Sequence, residues 1–239
     1  MRERMLIVNA DDFGASRGIS TGIVHCHTEG VLTSASLMVH GRFARQAAEL
    51  ARQHPDLSLG LHWDLDGQEA PPVDFEDGPA VRAELVRQLD IFHELVGAAP
   101  THIDSHHHIH RLPLIEPIAR ELAAPVGVPL RGDARVTFVG GFYGQWEWEV
   151  TDLHHVSPEF LCWILENEVL DGWTEVSCHP GFVTGDYRST YLDERAVELQ
   201  TLTDPRIRER IDQLGISLAS YRDFNRSATH RPDISETDD

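Results

Sequence analysis

Seven short apolar, β-branched runs alternate with stretches of helical periodicity along this chain, and that alternation limits the folds open to it. The runs are Met5–Ala10, Ser34–Val39, Leu57–Leu61, Thr101–Asp104, Gly127–Leu130, Glu175–Cys178 and Ile216–Ser220. Between them, Phe43–Gln53, Val81–Val96, Leu112–Ala124, Pro158–Leu170 and Arg206–Leu214 place apolar residues at helical spacing. Strands that alternate with helices imply βαβ units and a mainly parallel sheet. With no Gly-x-Gly-x-x-Gly turn in the sequence, the pattern favours a barrel-like arrangement over a dinucleotide-binding sheet.

The 239 residues are 41% hydrophobic and 25% charged, enough for a sizeable core and too apolar for general disorder. Neither a repeat nor a clear linker interrupts residues 1–226, so one domain is expected there; residues 227–239 are polar and acidic and read as a disordered tail. A formal charge of −19 repels nucleic-acid phosphates and anionic membranes, so neither is an expected partner. A neutral or cationic small substrate fits better. Cys26, Cys162 and Cys178 are far apart and lack Cys-x-x-Cys spacing, which points to buried reduced thiols rather than disulfides or a thiolate zinc knuckle. Met1 to Met5 is short and charged, and the apolar run after it is far shorter than a signal-peptide core or the ~20 residues of a membrane span, so a cytoplasmic location is expected.

Three segments concentrate carboxylates and imidazoles where predicted strands give way to loops: Asn9-Ala10-Asp11-Asp12-Phe13-Gly14, Leu61-His62, and Asp104-Ser105-His106-His107-His108-Ile109-His110. In parallel α/β folds the ligand site gathers beyond the carboxyl ends of the strands. Adjacent Asp11 and Asp12 repel each other unless a cation, a proton or solvent relieves them, so they mark either a site or a solvated turn. Asp104, His106, His108 and His110 share parity and, in an extended segment, project to one side. Imidazole is the commonest protein ligand for transition metals, but steric reach admits only one or two of these rings to one ion, leaving Asp104, His108 and His110 as supporting or substrate contacts. His62 alone reads as a structural hydrogen-bonding residue. Beside Asp12 and His106 on the same rim it completes an Asp/His/His set, the three-ligand plan of hydrolytic metal sites, and frees Asp11 to act as a base.

His179, in Cys178-His179-Pro180-Gly181, is either a turn residue or the acid that protonates a leaving group. Arg131 and Arg222 are each able to orient an aspartate through a bidentate pair, although Arg222 also suits a surface role. Asp64 to Pro79 reads as a loop overhanging the site, and Val139–Trp148 as an irregular loop whose aromatic residues either stack on sugar or anchor in the core. The chain has no Gly-x-Ser-x-Gly elbow, Gly-Lys-Ser/Thr phosphate loop or His-Glu-x-x-His helix, which disfavours serine-hydrolase, nucleotide and zincin readings.

At these residues the sequence resembles the YdjC-like carbohydrate deacetylases. The resemblance rests on Leu6 to Gly14, Thr33-Ser34, Gly60-Leu61-His62, Pro100 to His110, Leu130-Arg131, Cys178-His179-Pro180 and Ser220-Tyr221-Arg222-Asp223, in one order over nearly the whole chain. It implies an α/β fold, a single-domain distorted (β/α) barrel with about seven mainly parallel strands. It also implies removal of acetyl groups from N-acetylated sugars such as chito-oligosaccharides, one divalent metal ion on Asp12, His62 and His106, Asp11 as general base, His179 as general acid, and a homodimer. The ion implied by the resemblance is magnesium, whereas two imidazoles and a carboxylate suit zinc or another transition metal by their chemistry. The chain departs from the family-like pattern after His62, where Asp64-Leu65-Asp66-Gly67-Gln68-Glu69-Ala70-Pro71 replaces a stretch resembling Leu-Thr-x-Gly-x-Pro-Leu, which leaves the preferred sugar open. Two alternatives stand beside the deacetylase: another metal hydrolase such as a phosphoesterase, and a non-catalytic sugar- or metal-binding regulator.

Overall fold

The computed structural model describes residues 3–69, 71–147 and 149–229. In chain order its elements are β1 (Arg4–Phe13), α1 (Arg17–Glu29), β2 (Ser34–Leu37), α2 (Ala44–Gln53), β3 (Ser58–Trp63), α3 (Gly78–Val96), β4 (Ile103–Ser105), α4 (Glu116–Val126), β5 (Val136–Val139), α5 (Pro158–Asn167), β6 (Gly172–Cys178), α6 (Asp193–Leu202), α7 (Pro205–Gln213), β7 (Ile216–Leu218) and α8 (Tyr221–Thr229). The strands form one curled, all-parallel sheet in the order β4-β3-β2-β1-β6-β5. β7 pairs with Arg4 to Leu6 of β1, below the stretch from Asn9 onward that pairs with β2, so one side of β1 carries two partners in succession. The expected distorted barrel is thus a half-barrel, open between β4 and β5.

Local chemistry explains where the helices begin. Ser16, Asp77, Ser157 and Asp204 each accept a hydrogen bond from a backbone N–H of the first turn of α1, α3, α5 and α7, and prolines occupy the first turns of the last three. Three helices, α1, α6 and α8, are not among those read from the pattern, although α1 buries Ile19, Ile23 and Cys26 at helical spacing. In α1, Gly18 and Gly22 dilute helix propensity because the chain at Gly181–Phe182 packs directly on them; a Cβ on Gly22 would lie 2.7 Å from the Gly181 Cα. α6 is polar in sequence yet buries Glu194, Arg195, Glu198 and Thr201. The strand expected at Gly127–Leu130 is reduced to a single bridge between Leu130 and Ile103, because Pro129 has no N–H to donate. Val136–Val139 provides the strand instead. α8 runs on to Thr229 and so covers the start of the expected tail, whose remainder, residues 230–239, lies outside the described residues. No helix among the described residues is long and apolar enough to cross a membrane.

Side-chain alternation gives the sheet two unlike faces. Leu6, Val8, Ala10, Ala35, Leu37, Leu61, Ile103, Val176 and Cys178 join the main apolar core beneath the helices. The concave face carries Asn9, Asp11, Ser34, Ser36, His62, Asp104, Glu175 and Ser177, all buried. Ile7, Val136, Tyr221 and Phe224 form a small apolar plug at the amino ends of the strands. Above this plug His102 stacks on Tyr221 with ring centroids 4.0 Å apart, and the imidazole fills the space where Gly60 lacks a side chain.

Gly60→Ala is therefore expected to cost about 1–3 kcal/mol of stability in urea unfolding, because its methyl group meets a ring that cannot move aside. The penalty should largely vanish in a His102→Ala background; strictly additive losses would show that the ring is not the obstacle.

Candidate functional site

Neighbouring residues in a regular strand face opposite ways, yet Asp11 and Asp12 both line one cleft. A bulge at the end of β1 accounts for this: the pairing register with β2 shifts between Ala10 and Phe13, and Asp12 takes a left-handed φ of 66°. Aspartate tolerates that conformation better than most residues. The bulge turns Asp12 back beside Asp11.

Asp11 is bound at both oxygens by Arg131, with Nη1 and Nη2 each donating over 2.7 Å. Arg131 also reaches Asp104 at 2.8 Å and Glu175 at 2.8 Å, and its guanidinium lies 5.1 Å from the centre of the Phe138 ring. Burial opposes the charge of Asp11, but Arg131, with lesser help from His62 and His179, holds its carboxyl well below the usual range. Glu175 goes the other way: burial dominates and raises its carboxyl, which accepts a hydrogen bond from the Tyr221 hydroxyl at 2.6 Å. His62 Nδ1 meets Asp104 Oδ1 at 2.7 Å. Burial alone would depress this imidazole, but Asp104, Asp11 and Asp12 together raise it to about 9.

Asp12 Oδ2 accepts from Arg195 Nη2 at 2.5 Å, while Oδ1 faces His62 Nε2 at 3.5 Å. Arg195 foremost, then His62, keeps the Asp12 carboxyl below its ordinary value against the effect of burial. Both Asp12 Oδ1 and His62 Nε2 are buried without a hydrogen-bond partner among the described residues. The His106 ring centre lies 6.1 Å from that of His62. Such an orphaned carboxylate–imidazole pair beside a second imidazole is the donor set a metal ion would satisfy. Asp11, His62 and Asp104 also approach within 4.8 Å of one another, but Arg131 already supplies the cation there.

The row from Asp104 to His110 is not extended. After Ser105 the chain enters a 3₁₀ turn over His106–Arg111, with His107 and His108 at left-handed φ of 50° and 54°. Ser105 organises the turn, its Oγ accepting from the His110 backbone N–H at 2.9 Å and meeting the same ring's Nδ1 at 2.7 Å. Parity therefore fails. His106, His107 and His108 line the cleft, whereas His110 is buried behind it with Nε2 3.1 Å from the Arg131 carbonyl. Burial, aided by the charge of Arg131, pushes His108 down to about 3 and His110 to about 4. Arg222 lies away from the cleft, its guanidinium on the carbonyls of Pro55 and Leu57.

His179 follows β6, with its Nε2 3.8 Å from Asp11 Oδ2. Burial lowers it to about 4 despite the nearby aspartates. Its backbone N–H donates to Glu198, which also accepts from the Tyr191 hydroxyl at 2.6 Å and is raised by burial to about 8. Arg195 and Glu198 both come from α6, and no apolar pattern marks that helix in the sequence; their i,i+3 spacing is the sole trace. Tyr143, Trp146, Tyr187 and Tyr191 form the opposite wall of a cleft of about 640 Å³. Trp146 is 61% exposed at its rim, while Trp148 of the same loop lies outside the described residues. From the loop after β3, Gln68 reaches across to the Tyr187 hydroxyl at 2.5 Å.

A parallel half-barrel with a carboxylate–imidazole cleft over its strand ends is the class this fold and site define. The chain matches the family of YdjC-like proteins over residues 5–213 and belongs to it. It is 34% identical over 259 aligned positions, covering 93% of this chain and 100% of its relative, to a protein from Serratia marcescens named chitooligosaccharide deacetylase. Among solved structures, a proposed cellobiose-phosphate cleavage protein from Enterococcus faecalis V583 superposes with a TM-score of 0.78 at 26% identity, over 93% of this chain and 99% of the other. The Xyl-CE4 domain of a xylanase from the hindgut metagenome of Trinervitermes trinervoides shares the fold, with a TM-score of 0.60 at 12% identity over 97% and 94% of the two chains.

Replacing Arg131 with Met strands three buried carboxyl groups and should destabilise the protein by about 3–5 kcal/mol in urea unfolding, with Lys restoring only part of the loss. A variant as stable as the parent would dispose of this role. The metal-free protein should also show a stability maximum near neutral pH. His102, His108, His110 and His179 fold with values of about 4, 3, 4 and 4 against an ordinary 6.5, so acid favours the unfolded chain as pH falls from 6.5. His62 is raised to about 9, and its contribution is complete below 6.5 and lost as pH climbs through 9. Urea midpoints that stay flat from pH 4 to 6.5, or still rise at pH 9, would contradict these assignments.

Proposed function

We propose that this protein is a metal-dependent hydrolase that removes the acetyl group from an N-acetylated amino sugar. The observation that carries the reading is the orphaned pair Asp12 Oδ1 and His62 Nε2, 3.5 Å apart, beside the ionised Asp11 in a cleft walled by aromatic rings. The name of the Serratia marcescens relative supports the same chemistry.

Asp12, His62 and His106 would hold one divalent ion, magnesium by the family resemblance, with zinc or another transition metal as the alternative that two imidazoles and a carboxylate suit. When bound, such a cation polarises an amide carbonyl and acidifies water. Arg131 grips both oxygens of Asp11, which keeps the carboxylate ionised and aimed, as a weak base, at the proton of an attacking water. His179 stays neutral at rest and lies 3.8 Å from Asp11; it takes on the proton Asp11 has collected and passes it to the departing sugar amine. Glu198 fixes the backbone of that histidine, and Tyr143, backed by the stacked ring of Tyr191, and Trp146 offer flat apolar faces to a pyranose ring. Charge disfavours the phosphoesterase reading, since Arg131 and Arg195 are both engaged by aspartates.

Metal-loaded protein incubated with N-acetylglucosamine and its short β-1,4-linked oligomers should release acetate. Asp11→Asn should lower kcat by about 10²–10⁴-fold, the range of a lost acid–base group. His106→Ala should lower it as well. Phosphate release from phosphoesters with no acetate from any N-acetylated sugar would overturn the reading.

A further inference from the structure

We infer that Asp66 is the positioning residue for His106, setting the tautomer and the orientation of that ring. This rests on the reading above that His106 is one of the three residues holding the cation. Both oxygens of Asp66 lie 2.9 Å from His106 Nδ1, and Oδ2 also meets His107 Nδ1 at 2.6 Å. A carboxylate only accepts, so each ring must present an N–H at Nδ1. The lone pair of His106 is thereby placed on Nε2. An imidazole in water carries its proton on either nitrogen; a carboxylate at Nδ1 removes the choice, fixes the ring plane and raises the donor strength of the other nitrogen.

The carboxylate itself is held by a folded loop. Asp64, two residues earlier, accepts from the backbone N–H groups of Gly67, Gln68 and Glu69 at 3.2, 3.3 and 2.6 Å. Gln88 of α3 clamps the Asp64 backbone from both sides, donating to its carbonyl at 2.6 Å and accepting from its N–H at 2.9 Å. Leu65 is buried between them. Asp66 therefore projects from a fixed backbone, and its side chain is 19% exposed beside a His106 side chain at 14%. His107 is 63% exposed and shares the carboxylate from the solvent side.

Two readouts test the inference, one of which needs no metal. In ¹⁵N NMR of the metal-free protein, His106 should hold the Nδ1–H form, and Asp66→Ala should shift it toward Nε2–H. Zinc affinity, measured by competition with a chromophoric chelator, should fall about 10–100-fold in Asp66→Ala, the usual effect of losing a carboxylate behind a ligating histidine. Asp66→Asn, which keeps an acceptor oxygen at the same place, should recover part of both effects, and His107→Ala should alter neither. The inference fails if the tautomer of His106 is unchanged in Asp66→Ala. It fails equally if His107→Ala weakens zinc binding as much as Asp66→Ala, or if a second zinc equivalent disappears in both, since Asp66 would then be a ligand. Parent protein that binds no zinc but shows the tautomer shift would overturn the metal reading and leave the role of Asp66 toward His106 standing.

Discussion

Across the open side of the half-barrel, one guanidinium links both edges of the sheet to the strands between them. The backbone N–H of Arg131 donates to Ile103 of β4, while its side chain binds Asp11 of β1, Asp104 of β4 and Glu175 of β6, and lies over Phe138 of β5. The two edge strands are thus tied through a buried cation rather than through strand pairing. Three buried carboxyl groups around one charge would be untenable by themselves. Balance comes from His62, whose raised pKa lets it share the charge of Asp104, and from Glu175, whose raised pKa makes it the readiest of the three to keep its proton. The position of Asp11 therefore follows from an electrostatic arrangement that spans the whole concave face.

That face inverts the usual relation between a small barrel and its core. Small-barrel interiors are commonly filled by apolar side chains, but here the apolar residues sit outside the strands, under the helices, and the inside is polar from Asn9 to Ser177. Only the plug of Ile7, Val136, Tyr221 and Phe224 seals the amino end. Hydrogen bonds then do the work of packing. Asn9 Nδ2 lies 3.0 Å from Asp11 and 3.3 Å from Asp104, and Ser36 Oγ lies 3.3 Å from His62 Nδ1, so Asp11, Asp104 and His62 are each oriented by a neighbour that is itself buried.

Much of this was legible in the sequence, and the parts that were not share a physical cause. Apolar runs ending in Asp11, His62 and Asp104 announce strands and their rim, because a carboxylate or imidazole after a buried run has few other places to go. Parity could not foresee the bulge at Asp12 or the turn at His107 and His108, since left-handed backbone at a non-glycine residue leaves no periodic trace. α6 escaped because its buried face is charged: Arg195 reaches Asp12 and Glu198 reaches His179, so the helix is folded around the cleft rather than around the core. Asp66 lay in a segment readable only as an overhanging loop. What makes it a partner of His106 is a tertiary approach across 40 positions of chain.

The pairing of β1 has a consequence for how the chain comes to be assembled. This central strand is made before its partners, of which β6 and β7 lie about two-thirds of the chain or more downstream, and β7 is needed to cover its lower flank. An emerging polypeptide therefore carries β1 with one side open while β2, β3 and β4 already have neighbours to join. Such non-local parallel pairing is slow to form and exposes a strand edge meanwhile. During synthesis the site stays incomplete until β6 and α6 arrive, because Ser177, His179 and Arg195 come with them. The nascent chain thus passes through most of its length with Asp11 and Asp12 already made but without the Glu175 and Arg195 that complete their surroundings.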